Sequence, residues 1–218
     1  MTEKQPKDGY YIRETDGAEI KKATASTPIM DKADLFRITE AFKNGTATVK
    51  APHEKYLILW ELSIGLGFRI SDTLKLTVSD VTTPDAEVIE QKTQKRRMIV
   101  LNDRLQSLVD AYINKYHLRP DDKLIFANRK DGSKTDAIDK SQAYRKMREI
   151  VEAVCPNIRF SNHTCRKSWA YALYIANNRN IAIVQKALNH SSSLITADYI
   201  GLSKKELKET LMNFDPLA

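Results

Sequence analysis

The sequence lacks the features that mark several large protein classes. Its two cysteines, Cys155 and Cys165, form no CxxC pair and have no histidines at zinc-ligand spacing. No apolar run approaches the ~18 residues of a membrane span, and the N-terminus has no signal-peptide core. A GxxxxGK[ST] phosphate loop and an acidic metal cluster are also absent. These absences predict a soluble, cytoplasmic protein and give no indication of a membrane, a metal ion, a nucleotide or another cofactor.

Positive charge is the main compositional signal. The 218 residues include 35 Lys and Arg against 28 Asp and Glu, which gives a net charge of +7. Apolar residues make up 42% of the chain, a globular value, and the length allows one sizeable core. The basic balance favours a polyanionic partner, with nucleic acid first and an acidic membrane second, and we expect no small-molecule substrate.

Hydrophobic periodicity predicts an α+β fold that is mostly α-helical and carries a small antiparallel β-sheet. Residues 1–30 are polar and are predicted to form a flexible arm or a short added strand, and residues 31–218 form one domain. A short helical turn is expected after Arg69, and β-rich runs at 87–90 and 97–101 flank a polar hairpin tip. Longer helices are predicted at about 31–43, 52–66, 102–116, 140–154, 162–176, 181–188 and 203–212.

Two motifs carry arginines suited to a phosphate. His163 and Arg166 are three residues apart near a predicted helix start, so both face the same way, and the free N–H groups there favour an anion. Asn162 or Ser161 would cap that helix. Arg69 follows a buried helix, and Asp72 could orient it. By itself, the H-x-x-R motif is better explained as a solvated surface, whereas a local Arg69–Asp72 pair explains Arg69 about as well as a site does.

The remaining candidates come from the hairpin and from the C-terminal third. The hairpin holds four basic residues suited to a DNA groove or backbone, namely Lys92, Lys95, Arg96 and Arg97. Lys92 could also protonate a leaving alkoxide, with Lys95 as the competing candidate. His190 follows a predicted helix and could donate to a phosphoryl oxygen, and Tyr199 lies nine residues later. A helix cap and a core tyrosine are the structural alternatives for these two.

The combination is more informative than its parts. A phenol that attacks a DNA phosphorus forms a covalent phosphotyrosine and conserves the bond energy. Two arginines and the histidines would stabilise charge on the phosphoryl oxygens, as a metal ion does elsewhere. The set Arg69, Lys92, His163, Arg166, His190 and Tyr199 therefore supplies what metal-independent and ATP-independent phosphodiester transfer needs.

In this order and spacing the residues resemble the tyrosine recombinase (phage integrase) family. The family pattern is G-x-R-x-S-[DE], a hairpin lysine, H-x-x-R and then [LG]-H-[SG]-x-x-x-T-x-x-Y. The chain matches it at residues 67–72, at Lys92, at 163–166 and at 190–199, over roughly residues 30–214. The resemblance implies the fold of the family's catalytic domain, with residues 31–218 as that domain.

The resemblance also implies residue roles. Tyr199 would form a 3′-phosphotyrosine, and Lys92 would protonate the leaving 5′-oxygen. His163 would act as acid and base on the nucleophile side. Arg69, Arg166 and His190 would hold the phosphate, with Asp72 in support of Arg69. Alignment of residues 97–101 with the second hairpin strand favours Lys92 over Lys95 as the catalytic lysine.

The chain departs from the family pattern in three places. Asn189 stands where glycine is usual, and Cys165 stands where leucine is common. Only 68 residues precede Arg69, so a separate core-binding domain that closes a clamp on DNA does not fit. The resemblance then implies either a single-domain member or a chain from which the clamp has been removed.

The family implies double-stranded DNA as the partner and a homotetramer on two paired DNA sites. The predicted helix at 203–212 has a stripe of Leu207, Leu211 and Phe214 that could dock on a neighbour or pack on its own domain. We therefore expect a site-specific recombinase of a mobile element, encoded by a bacterium, phage or plasmid and associated with the nucleoid. A nicking-closing enzyme of the type IB topoisomerase kind and a non-catalytic DNA-binding regulator are the alternative hypotheses.

Overall fold

A computed structural model describes residues 10–12, 19–21, 26, 28–202 and 212 of the chain. In these ranges the α-helices are α1 (Lys32–Asn44), α2 (Lys55–Leu66), α3 (Ile70–Thr73), α4 (Val78–Thr82), α5 (Asp103–Tyr116), α6 (Lys140–Val154), α7 (Thr164–Ala176), α8 (Ile181–Leu188) and α9 (Ser193–Ile200). The β-strands are β1 (Tyr10–Ile12), β2 (Glu19–Lys21), β3 (Glu87–Ile89) and β4 (Arg96–Met98). They form two antiparallel hairpins, β1–β2 and β3–β4.

Helix α2 is the centre of the main core. Apolar residues occur on every side of it, and even its Lys55 and Glu61 are buried, which is typical of a helix surrounded by protein. Ile58, Leu59, Trp60 and Leu62 have no exposed surface, and the helix packs against α1, α5, α6 and α7. The helix ends at Gly67, which adopts a left-handed conformation with φ of 61°. The turn that carries Arg69 therefore directly follows a helix that is fixed in the middle of the core.

A second, smaller core supports the C-terminal helices. Ala170, Val184, Leu188 and Ile200 are buried together, so α7, α8 and α9 share one apolar centre. Tyr199 packs at the edge of this cluster. An isolated helix of eight residues is unstable in water, so α9, which carries Tyr199, is stabilised by its packing against α7 and α8.

The residues just before α1 contact the helices of this second core. Ile29 is buried, and its backbone N–H donates to Ser168 Oγ of α7 at 2.8 Å. Ser26 accepts a hydrogen bond from Lys167 Nζ through its carbonyl oxygen, at 2.6 Å. The predicted arm of residues 1–30 therefore includes residues that belong to the packed domain.

Most helices lie where the sequence predicts them, but two helices and one cap differ. The helices α4 and α9 were not predicted, and the α7 cap is His163, which makes no side-chain capping hydrogen bond. Ser161 Oγ instead accepts from the His163 backbone N–H at 3.1 Å. The predicted helix at 203–212, with its stripe of Leu207, Leu211 and Phe214, falls outside the described residues except for Met212.

Candidate active site

The predicted site residues come from five separate elements that meet on one side of the domain. Arg69 caps α3, and Lys92 lies in the β3–β4 tip. His163 and Arg166 stand at the start of α7. His190 follows α8, and Tyr199 is the seventh residue of α9. An open cleft of about 600 Å³ is lined by Arg69, Lys92 and His163 together with Ile70, Ser71, Gln91, Lys140 and Asn162.

Arg166 is the buried anchor of the site, with 2% of its surface exposed. It donates to the carbonyl oxygens of Gly67 at 2.9 Å and Leu188 at 3.1 Å. These carbonyls lie at the C-terminal ends of α2 and α8, where backbone acceptors lack helical partners and the helix dipole favours a cation. Arg166 therefore ties the two helix ends together and is held in one orientation.

Arg69 is held mainly by Glu90. Its Nη1 lies 3.0 Å from Glu90 Oε1 but 4.0 Å from Asp72 Oδ2. The Arg69 Nη1 atom is buried, and its N–H groups are not directed at an acceptor among the described residues. The short distance to Glu90 is therefore an ion pair without a well-aligned hydrogen bond. Because Arg69 also lines the cleft, its guanidinium is placed to pair with an anion there.

Asp72 has a different primary contact from the predicted one. Its Oδ1 accepts from the Gln91 backbone N–H at 3.0 Å. Asp72 itself is buried. Since Gln91 directly precedes Lys92, Asp72 fixes the start of the hairpin tip relative to α3. Its support of Arg69 is limited to the longer 4.0 Å approach.

Tyr199 lies between the two histidines. Its hydroxyl is 3.5 Å from His163 Nδ1, and its ring meets the His190 ring edge-on with centroids 5.2 Å apart. Burial raises the pKa of the Tyr199 phenol to about 12, although Arg166 and Arg69 lower it in part. Burial also lowers the pKa of His163, and nearby Lys167 and Arg166 lower it further. The phenol is thus protonated near neutral pH, next to an imidazole that is neutral and able to accept its proton.

His190 is oriented by a turn and by a threonine. Asn189 adopts a left-handed conformation with φ of 57°, which asparagine tolerates better than most residues and which explains its substitution for glycine. His190 Nδ1 lies 3.1 Å from Thr196 Oγ1, whose hydroxyl donates to the Ser192 carbonyl. Thr196 Oγ1 is therefore free to accept from Nδ1–H. Burial, followed by Arg166 and Arg69, lowers the His190 pKa to about 4.

The two candidate lysines lie in different places. Lys92 is exposed and lines the cleft with Arg69 and His163. Lys95 Nζ donates to the Asn189 carbonyl oxygen at 3.2 Å, so it braces the turn before His190. The geometry therefore favours Lys92 over Lys95 as the lysine that faces a substrate in the cleft.

Arg96 and Arg97 point to opposite sides of the hairpin. The Arg96 side chain is 75% exposed, whereas that of Arg97 is 10% exposed. The Arg97 guanidinium lies between the rings of Phe68 and Trp169, 4.4 and 4.9 Å from their centroids. It also donates to the Leu66 and Gly67 carbonyls, and burial lowers its pKa to about 10. These contacts correct the predicted DNA contact of Arg97, because its donors are directed into the protein.

Two buried charges beside the site were not predicted. Glu90 has no exposed surface and lies among Arg69, Arg97 and Arg166. Lys167 is 7% exposed, and its Nζ lies 5.5 Å from the Tyr199 ring centroid. A lysine directly after the H-x-x-R motif was visible in the sequence, but neither burial nor these neighbours could be inferred from local pattern.

Among the described residues, no group of three or more His, Cys, Asp and Glu side chains is arranged to hold a metal ion. No helix among those residues has the length and apolar character required to cross a membrane.

Comparison with known proteins gives consistent matches in sequence. The model of the phage integrase family matches residues 29–206. The probable integrase/recombinase YoeC of Bacillus subtilis is 34% identical over 147 residues, which cover 67% of this chain and 77% of that protein. Tyrosine recombinase XerD of Corynebacterium glutamicum is 28% identical over 166 residues, covering 73% of this chain but 52% of that protein. The chain thus spans about half of the latter relative.

Solved structures match in fold. The crystal structure of XerA recombinase has a TM-score of 0.63 at 18% identity, covering 89% of this chain and 66% of that one. XerH site-specific recombinase, bound to its palindromic difH substrate in a post-cleavage complex, has a TM-score of 0.62 at 20% identity. That match covers 88% of this chain and 56% of that one.

Proposed function

This chain belongs to the phage integrase family of tyrosine recombinases, and we propose that it is a site-specific DNA recombinase that cuts and rejoins strands through a covalent tyrosine intermediate. The observation that carries this proposal is the position of Tyr199. Its hydroxyl lies beside His163 and near His190, in a site with two guanidinium groups and an exposed lysine. Neither a metal ion nor ATP is needed for the chemistry that these groups supply.

In the proposed cleavage step, Tyr199 Oη forms a bond to phosphorus and the bond from phosphorus to the 5′-oxygen breaks. The phenol proton passes to His163, whose neutral imidazole lies 3.5 Å away. Lys92 gives a proton to the departing 5′-oxygen. The product is a 3′-phosphotyrosine and a free 5′-hydroxyl, and rejoining reverses each transfer.

Charge on the phosphoryl oxygens is proposed to be stabilised by Arg69, Arg166 and His190. Guanidinium groups that are oriented before the substrate arrives need little reorganisation, so their stabilisation of the transition state is large. The contacts of Arg166 with two helix ends provide such an orientation. His190 is neutral in the free protein, and a bound phosphate would favour its charged, donating form.

DNA is proposed to contact the tip of the β3–β4 hairpin through Lys92, Lys95 and Arg96. All three residues are exposed. Arg97 is left out of this set because its guanidinium is buried between two aromatic rings. Contacts of this kind fix the position of a duplex and carry little sequence information.

The proposal also covers the oligomeric state of the enzyme and its location in the cell. Four copies would meet on two paired DNA sites. The enzyme would act on the bacterial nucleoid, as expected of a recombinase encoded by a bacterium, a phage or a mobile element. Residues 1–30 would supply an arm to the catalytic unit at 31–218, with Ser26 and Ile29 of that arm packed on α7.

The two alternatives receive less support. A nicking-closing enzyme would use the same residues but release relaxed topoisomers in place of recombinants. A DNA-binding regulator would not need the Tyr199–His163 contact. The relatives that match in sequence are named integrase/recombinase and tyrosine recombinase, which favours strand exchange.

Covalent trapping tests the proposed function. The protein and its Tyr199→Phe variant are mixed with genomic DNA of the source and denatured with SDS, and the DNA that stays attached to protein is sequenced. We expect adducts only with the wild type, at one repeated sequence, and similar DNA binding by both proteins. Adducts formed by the phenylalanine variant would show that another residue is the nucleophile. If neither protein forms an adduct, a binding-only role is favoured.

A further inference from the structure

Glu90 is a fully buried carboxylate surrounded by three guanidinium groups. Its Oε1 lies 3.0 Å from Arg69 Nη1, 3.0 Å from Arg166 Nη1 and 3.8 Å from Arg97 Nη1. An ionised carboxylate is costly to bury unless it is paired, so these contacts are what keep it in place. The same oxygen thus meets both arginines that are proposed to hold the phosphate.

Glu90 also closes the turn of the β3–β4 hairpin that contains Lys92. Its backbone N–H donates to the Lys95 carbonyl at 3.0 Å, and its carbonyl accepts from the Gln94 N–H at 2.8 Å. Its second carboxylate oxygen accepts from the Thr93 hydroxyl at 2.9 Å. The turn that contains Lys92 is therefore closed by the backbone and the side chain of the residue that pairs with the arginines.

The charge of Glu90 has a specific electrostatic consequence. Arg69 and Arg166 both approach one oxygen at 3.0 Å, so without it two like charges would face each other in a poorly solvated place. Burial by itself would raise the pKa of Glu90, but Arg166, the Thr93 hydroxyl and Arg69 outweigh it and lower the pKa. Glu90 is thus ionised at neutral pH and balances part of the arginine charge before DNA arrives.

We propose that Glu90 is a positioning residue that holds Arg69 and Arg166 at the spacing of a single phosphate and locks the Lys92 hairpin against them. Glu90 has no exposed surface, so it acts through the arginines and does not touch DNA. This inference rests on the proposed function, because it assigns Glu90 a part in the same strand cleavage.

Glu90→Gln separates charge from shape. The amide oxygen can accept from Arg166 and remain beside Arg69, and the amide NH₂ can donate to the Thr93 hydroxyl oxygen, so every hydrogen bond has a replacement. Only the negative charge is lost. Glu61→Gln is the matched control, because Glu61 is also a buried carboxylate, 2% exposed, that pairs with an arginine. Its two carboxylate oxygens accept from Arg104 at 3.0 and 2.8 Å, and neither residue is part of the proposed site.

The experiment compares full-length wild type, Glu90→Gln and Glu61→Gln on a duplex that carries the sequence recovered by covalent trapping. Single-turnover adduct formation at saturating protein reports cleavage, a mobility shift reports DNA binding, and urea unfolding reports stability. We expect Glu90→Gln to slow adduct formation by at least ~10-fold while DNA affinity changes by less than about threefold. Glu61→Gln should lower the unfolding midpoint and leave the rate of adduct formation unchanged.

Four outcomes separate the hypotheses. Adduct formation by Glu90→Gln at the wild-type rate, or an equal loss in Glu61→Gln, would overturn the positioning role. No adduct with the wild-type protein would overturn the proposed function instead. Should Glu90→Gln not fold, Glu90→Asp retains the charge on a shorter side chain, and we expect it to fold and to cleave more slowly than wild type, with unchanged DNA affinity. Cleavage by Glu90→Asp at the wild-type rate would count against the proposal.

Discussion

The substitution Gly67→Ala tests how tightly the arginine site is built onto the core. Gly67 has φ of 61°, and an added Cβ would lie 2.3 Å from Cδ2 and Cε3 of the Trp169 ring. Neighbouring atoms must therefore shift. The ring of Trp169 covers the Arg97 guanidinium, and the Gly67 carbonyl accepts from Arg166 and Arg97. A shift here would be transmitted directly to the arginines.

The expected loss of stability follows from two terms. A left-handed backbone costs an alanine about 1–2 kcal/mol, and the reduced entropy of the unfolded chain offsets about 0.4–1 kcal/mol of this. Forcing a methyl group against a packed ring costs about 1–3 kcal/mol more. We therefore expect Gly67→Ala to lower the free energy of unfolding by about 1–4.6 kcal/mol.

Gly132→Ala is the matched control. Gly132 also has a positive φ, 76°, but no atom lies within 4 Å of its added Cβ, so this variant shows the backbone term alone. Urea unfolding of the three proteins, with linear extrapolation to water, measures both losses. If Gly67→Ala costs no more than Gly132→Ala, the close approach of Trp169 does not constrain the site and the reasoning fails.

Two further predictions concern the lysines and the pH dependence of stability. Lys92→Ala should slow strand cleavage by at least ~10²-fold, and a duplex with sulfur in place of the scissile 5′-oxygen should restore the rate, because a thiolate leaves without a proton. Lys95→Ala should retain most activity on the ordinary duplex, and an equal loss in both variants would contradict the assignment of Lys92. The free energy of unfolding should fall as pH drops from about 6.5 towards about 4, because His190 is neutral in the folded protein and takes up a proton when unfolded. Urea midpoints at several pH values should show a shallower decline for His190→Gln, and an identical decline in both proteins would refute a buried, neutral His190.

The family and the fold class were predicted from sequence, and both are confirmed. The family model and two curated relatives support the first, and the recombinase structures support the second. The prediction succeeded because the family pattern combines several short motifs in one order over most of the chain. The catalytic roles of the individual residues stay predictions that the experiments above address.

The secondary structure was predicted well where its signals are local. Asp31, Asn102 and Asp139 accept hydrogen bonds at the first turns of α1, α5 and α6, as capping residues do. Helix α9 was missed because its eight residues have no clear apolar face. Leu194 and Ile195 are exposed, while Thr196 is fully buried.

The side-chain environments were decided by tertiary structure. Arg97 stands in a run of basic residues that is typical of a solvated hairpin, yet its guanidinium is buried between Phe68 and Trp169. Glu90 precedes a polar tip and carries no local sign of burial, but it pairs with Arg166, which lies 76 residues away. Contacts over such separations depend on how the elements pack, and periodicity does not report them.

The sequence by itself thus determined which reactive groups the chain carries, the order in which they come and the family to which it belongs. Only the tertiary structure decided which charges meet. It placed Lys92 in the cleft and Lys95 on the Asn189 carbonyl, and it brought Tyr199 next to His163. The physical reason is that charge and hydrogen-bonding capacity belong to single residues, whereas burial and pairing arise only when distant segments pack together.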